Sequence, residues 1–228
     1  MNIKDYIDLD DLQCEKFDKY MNLLIEWNKN INLTAITDKD DIILKHFVDS
    51  ISIHKYISNN DKIIDVGTGA GFPGIPLKIY NDTLDVTLLD SLNKRVIFLN
   101  NVIDELRLSK IKAIHGRAEE VARNVDYREK YDKAVSRAVA NLSTLLEYVL
   151  PFIKVGGEFI CMKGPNIREE LKNAKIALKE LGGEIKKIDN FKLGNSENER
   201  NILVIKKIKK INSKYPRKPG IPAKLPLK

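Results

Sequence analysis

Ile63-Ile64-Asp65-Val66-Gly67-Thr68-Gly69-Ala70-Gly71-Phe72-Pro73 decides how the rest of this 228-residue chain is read. The apolar run reads as a buried strand, the alternating glycines as a turn, and Pro73 suits the first turn of a helix. That order brings backbone N–H groups and a helix N-terminus up to a ligand. The spacing narrows which ligand. A dinucleotide fold carries G-x-G-x-x-G, with its last glycine three residues beyond the second. Here that place is Phe72, the third glycine comes one residue early, and Asp65 stands two residues before the first. A plain turn between strand and helix is the competing reading of the glycines taken alone.

Outward from that turn, the chain alternates strand and helix. Strands are expected at about 62–66, 85–89, 111–115, 132–136 and 158–162, and helices near 72–80, 94–107, 117–124, 141–153 and 166–181. Such alternation argues for a mainly parallel sheet covered on both faces. The last two strands, about 184–192 and 200–207, are joined by Gly194-Asn195-Ser196-Glu197-Asn198, too short for a crossover helix. They should pair as an antiparallel hairpin. The expected class is therefore α/β, with a mainly parallel sheet closed by an antiparallel hairpin over residues 59–208.

Residues 1–58 form an N-terminal helical extension in this reading. Phe17, Tyr20, Met21, Leu24 and Trp27 recur at helical spacing over about 11–29. A second helix starts near Thr37-Asp38, where Asp40 can complete a capping box. Residues 209–228 form a basic, proline-rich tail, of which Tyr215 to Pro226 is expected to be extended and not helical.

Net charge is +7, and its distribution is uneven. From Lys206 to Lys228 there are nine Lys/Arg and no Asp/Glu, which leaves 30 basic against 32 acidic residues, a net of −2, in the first 205. The tail reads either as a phosphate-binding arm or as a solvated, Lys-rich end. Cys14 and Cys161 stand alone in apolar settings, without metal spacing, and read as inert thiols of a reducing compartment. The acidic start lacks an apolar signal region, and no stretch reaches membrane length. A soluble, cytoplasmic protein with no membrane partner and no metal is expected.

Ligands of open α/β sheets bind at the carboxyl ends of the strands. At the first, Gly67, Gly69 and Gly71 permit close approach, while Asp65 can pair with a ligand ammonium or hydrogen-bond its own turn. Asp90, ending the second strand, suits ribose hydroxyls or caps the next helix. After the third strand, Ala118 gives room for a purine and Glu119 can meet its exocyclic amine; the alternative is an acidic helix start. Arg137, after the fourth, can hold a carboxylate, a phosphate or a base edge, or form a surface ion pair. Lys163 ends the fifth on the same side. His46 and Asp49, one helical turn apart, read better as a polar helix edge than as a site.

Together these segments resemble the bacterial glucose-inhibited division protein B family, the small-subunit ribosomal RNA guanine-N7 methyltransferases. The likeness covers nearly the whole chain. It is carried by Asn32-Leu-Thr-Ala-Ile, Lys45-His-Phe-Val-Asp-Ser, the glycine motif extended through Phe72-Pro-Gly-Ile-Pro-Leu, and Leu89-Asp-Ser-Leu-Asn-Lys-Arg. Gly116-Arg-Ala-Glu-Glu, Ser136-Arg-Ala, Met162-Lys-Gly and Tyr215-Pro-Arg-Lys-Pro-Gly-Ile-Pro complete it. The resemblance implies a Rossmann-like fold and methyl transfer from S-adenosylmethionine to guanine N7 in a 16S rRNA loop near the decoding centre. It also implies cofactor contacts at Gly67, Phe72, Asp90, Ala118, Glu119 and Arg137. The acceptor would be 16S rRNA, the small ribosomal subunit or an assembly intermediate, and a monomer is favoured. Arg137 and Lys163 are the candidate catalytic residues, and no general base is expected. Competing classes are a methyltransferase acting on a small molecule or protein, and a non-catalytic nucleotide- or RNA-binding module.

Overall fold

Seven strands build one sheet: β1 (Lys62–Val66), β2 (Asp85–Asp90), β3 (Ile111–His115), β4 (Tyr131–Arg137), β5 (Ile153–Lys163), β6 (Gly183–Lys192) and β7 (Glu199–Lys207). They lie in the order β3-β2-β1-β4-β5-β7-β6. The computed structural model describes residues 2–137, 140–165, 167–194 and 199–228. β1 to β5 pair in parallel, and β7 runs antiparallel to both β5 and β6. The hairpin expected from the short connection is thus present in its strands, while residues 195–198 of its tip lie outside the described residues. Strand order reverses between β1 and β4, and that switch point opens a crevice beyond Val66 and Arg137.

Side chains alternate between two cores, as the period of a strand requires. Ile160, Ile202 and Val204 face one side, where they meet Phe17, Tyr20, Phe47 and Phe72. Phe159, Leu203 and Ile205 face the other, against Leu145, Leu146, Val149 and Leu181. The N-terminal helices therefore pack directly on the sheet. Asp11–Ile31 is one helix, opened by a capping box between Asp10 and Gln13.

The second helix differs from expectation. Its N-cap is Asp38, whose carboxylate accepts from Asp41 N–H at 3.0 Å. After Lys39–Ile42 the rod widens into a π-helical stretch, Ile43–Val48, and returns to α geometry over Asp49–Ile51. Every residue from Ile42 to Ile51 except Lys45 is buried, so His46 and Asp49 are not a solvent-facing edge.

The tail also departs from expectation. Ile221–Lys224 is a short helix rather than extended chain, with proline in its first turn, where the missing N–H costs no hydrogen bond. Ile211 and Tyr215 insert into the second core. Burial pushes the Cys161 thiol up to about 12, which keeps it protonated and inert. Among the described residues no helix is long and apolar enough to cross a membrane, and no group of three or more His, Cys, Asp or Glu is placed to hold a metal.

Candidate active site at the strand ends

The glycine turn uses its own N–H groups. Gly67 and Thr68 donate to Leu89 O at 2.8 and 3.1 Å, and Gly71 and Phe72 donate to Thr68 O at 3.0 and 2.9 Å. Gly69 N–H goes to Asp90 Oδ2 at 2.9 Å. The next helix starts at Gly74, whose N–H is capped by Asp65 Oδ2 at 2.8 Å. The donors of residues 67, 68, 69, 71 and 72 are therefore satisfied internally, which leaves little of the turn to cradle a phosphate. What stays open is space. Gly69 has φ of +62°, and a Cβ there would meet nothing within 4 Å. Gly71 serves packing instead, since a Cβ would sit 2.7 Å from Tyr20 Oη.

Three carboxyls stand near the strand ends. Asp65 is fully buried, and its Oδ2 also accepts from Thr68 Oγ1 at 2.7 Å. Its Oδ1 is buried without a hydrogen-bond partner. Desolvation pushes this carboxyl up to about 7, against the pull of its two hydrogen bonds. Asp90 ties the ends of β1 and β2 together, accepting from Gly69 and, through Oδ1, from Leu92 N–H at 2.9 Å. The following helix is capped by Leu92, so Asp90 is not its N-cap. Glu119 is buried and accepts from Gly220 N–H of the tail at 3.0 Å.

A cavity of about 320 Å³ lies beside Glu119, walled also by Gly67, Leu89, Ala118 and Tyr148 and by Gly220 and Ala223 of the tail. A larger cavity, about 580 Å³, opens beside Gln13, His54, Tyr80 and Thr83. It lies at the amino end of β2, away from the switch point, and gathers none of the strand-end residues. The smaller cavity is the better site because the fold directs ligands to the carboxyl ends.

Phe72 links the turn to a second cluster. Its ring stacks on His46 at 4.4 Å and 19°, and the Arg137 guanidinium lies 4.9 Å above it. Arg137 donates to Lys45 O at 2.9 Å, Asp49 Oδ2 at 3.0 Å and His46 Nδ1 at 3.0 Å. Because a guanidinium only donates, Nδ1 is the acceptor and Nε2–H donates to Thr34 Oγ1 at 2.8 Å. Burial, and then the Arg137 charge, push His46 down to about 3, so the ring is neutral. Arg200 Nε donates to Asp49 Oδ1 at 3.0 Å from β7.

Of the residues expected from the sequence, Gly67, Ala118 and Glu119 line the cavity, Asp65, Gly69 and Asp90 brace the turn without lining it, and Phe72 joins Arg137 to the turn. Arg137 is not a surface ion pair, since its partners His46 and Asp49 are buried. Lys163 does not face the cluster. Its ammonium donates to Ala140 O at 2.5 Å and pairs with Glu170 at 2.7 Å, clamping the loop after β4. Ala138 and Val139 of that loop lie outside the described residues. Sequence reasoning set His46 and Asp49 aside, although they stand in one of the motifs that carry the resemblance. It missed Arg200, which no local pattern marks.

Residues 13–203 match the family model GidB, described as rRNA small subunit methyltransferase G. A relative from Alkaliphilus oremlandii named ribosomal RNA small subunit methyltransferase G is 54% identical, covering 97% of this chain and 94% of that protein. One of the same name from Acetivibrio thermocellus is 57% identical over 97% and 91% of the two chains. Among solved structures, M. jannaschii TYW2 in complex with AdoMet superposes with a TM-score of 0.54 at 19% identity, over 72% of this chain and 77% of that one. That likeness speaks to the fold, which is Rossmann-like. By family model and full-length relatives together, the chain belongs to the GidB family of rRNA small subunit methyltransferases.

Proposed function

We propose that this chain transfers a methyl group from S-adenosylmethionine to guanine N7 of 16S rRNA in the small ribosomal subunit. One observation carries the cofactor reading: Glu119 lines the strand-end cavity, Asp65 and Asp90 brace the glycine turn beside it, and the turn's N–H groups at residues 67, 68, 69, 71 and 72 are spent on internal acceptors. A pyrophosphate needs N–H groups and a positive helix end. A nucleoside bearing an ammonium and a sulfonium needs space, hydroxyl acceptors and negative charge. Asp65, Asp90 and Glu119 supply the latter, and the orphaned Oδ1 of Asp65 is a buried acceptor still to be satisfied. When bound, the cofactor supplies an electrophilic methyl on a cationic sulfur.

In this reading Asp90 takes the ribose hydroxyls, while Ala118 and Glu119 take the adenine. Arg137 and Phe72 border the acceptor. The acceptor chemistry fits what the cluster lacks. Guanine N7 has a free lone pair, so it loses no proton before attack. His46 is the histidine stacked on Phe72 of the turn, and both its ring nitrogens are already engaged. It positions Arg137 rather than moving a proton. Catalysis then rests on orientation and on fixed charge. The names of the full-length relatives support ribosomal RNA as acceptor.

Calorimetry with S-adenosylmethionine and with NAD tests the cofactor directly. Binding of the first alone is expected, and preferential binding of NAD would overturn the reading.

A further inference from the structure

We propose that the C-terminal segment Tyr215–Lys224 is a wall of the cofactor cavity, and that the pair of half-buried Arg217 with fully buried Glu147 is the latch that positions it. The inference rests on the cofactor reading above and goes beyond it, because neither a phosphate-binding arm nor a solvated end gives the tail a part in the cofactor cavity.

The tail is held down along its length. Arg123 and Arg128, from the other side of the sheet's second core, donate to the carbonyls of Ile211 at 3.1 Å, Tyr215 at 2.9 Å and Pro216 at 2.5 Å. Thr144 Oγ1 donates to Pro222 O at 3.0 Å. Between these lies the latch. Glu147 is completely buried in the helix Leu142–Val149, an apolar element where a lone carboxylate would be costly. Arg217 answers it with four contacts: its backbone N–H and Nε to Oε1 at 2.7 and 2.9 Å, and Nε and Nη2 to Oε2 at 3.1 and 2.7 Å. A fork on a carboxylate fixes orientation as well as distance.

Three residues beyond the latch, the chain turns at Gly220 with φ of +82°, and a Cβ there would meet nothing within 4 Å. Gly220 donates to Glu119, and with Ala223 it closes the cavity opposite Gly67 and Ala118. The residue assigned to adenine is therefore also the docking point of the tail. The tail has two faces. Arg217 turns inward, whereas Lys214, Lys218, Lys224 and Lys228 stay exposed, so removing the segment removes a pocket wall as well as charge.

The test is calorimetry of S-adenosylmethionine with wild-type protein, Arg217→Met, Arg217→Lys and Ala223→Leu. Arg217→Met is expected to weaken binding roughly tenfold, and to raise the KM for cofactor more than it lowers kcat. Arg217→Lys should recover part of that loss, since it restores charge but not the fork. Ala223→Leu leaves the latch intact and fills the cavity, so it keeps the question answerable if the latch variants fold poorly; it too should weaken binding. In wild type, the cofactor should slow tryptic cleavage after Lys224. Wild-type binding with unaltered affinity in Arg217→Met and Ala223→Leu would overturn the wall alone. Wild-type protein that ignores S-adenosylmethionine would overturn the cofactor reading and the wall together.

Discussion

Arg137 donates to His46 Nδ1 at 3.0 Å across 91 residues of sequence, and the bond fixes both partners. The histidine is held neutral with its proton on Nε2, and the guanidinium is held over Phe72. A neutral ring suits this place. A second cation would oppose both a sulfonium and the positive charge that N7 acquires on methylation.

Arg137→Ala is therefore expected to cut methyl transfer by about 10²–10³-fold, the usual loss when one preorganised donor is removed. Steady-state rates with saturating cofactor and small subunits check this. Unchanged turnover would take Arg137 out of the site.

Asp65 leads to a proton count. Its carboxyl titrates near 7 because it is desolvated, and one oxygen has no partner. A cation arriving nearby favours the ionised form. Cofactor binding near neutral pH should release a fraction of a proton, seen as a dependence of binding heat on buffer ionisation enthalpy. Asp65→Asn should abolish that dependence.

The same two buried groups shape acid stability in opposite senses. Folding raises Asp65 from 3.8 to about 7. Between those values the native state holds a proton that the unfolded chain has lost, so this contribution falls as pH rises. His46 is lowered from 6.5 to about 3. There the unfolded chain holds the extra proton, so its contribution rises with pH. The two offset each other across about pH 4–6.5. Asp65→Asn unmasks the histidine, and its stability should climb with pH by up to about 1.4 kcal/mol per unit in that window. Urea unfolding at three pH values checks the slope; a flat series would refute the pairing.

Lys207 supplies a stability prediction remote from the site. It is wholly buried and donates to Glu129 Oε1 at 2.7 Å, Ile153 O at 2.7 Å and Leu150 O at 3.1 Å. Lys207→Met leaves a carboxylate and two carbonyls without their donor, at a cost of about 3 kcal/mol. Adding Glu129→Gln should recover part of it. Chemical denaturation of the single and double variants reads both.

Local pattern carried the strands and the glycine turn. Ile63-Ile64 and the glycines announce β1 to within a residue, because short-range sterics and alternation decide them. Asp90 and Glu119 were legible because strand ends are fixed by topology. The Arg137 cluster was not, since Asp49 reaches Arg137 across 88 residues and Arg200 across 151. The π-helical stretch that turns His46 and Asp49 inward also hides from a 3.6-residue pattern. The packing of the tail was hidden by composition: its prolines and lysines read as a phosphate-binding arm or a solvated end, extended in either case, while its anchor, Glu147, sits 70 residues away in an apolar helix.

The central claim is tested most directly by incubating the protein with methyl-labelled S-adenosylmethionine and small ribosomal subunits that lack this modification, then mapping the label. The account predicts one labelled guanine in 16S rRNA, carrying the methyl on N7. Label on protein, on another base atom, or nowhere at all would contradict it.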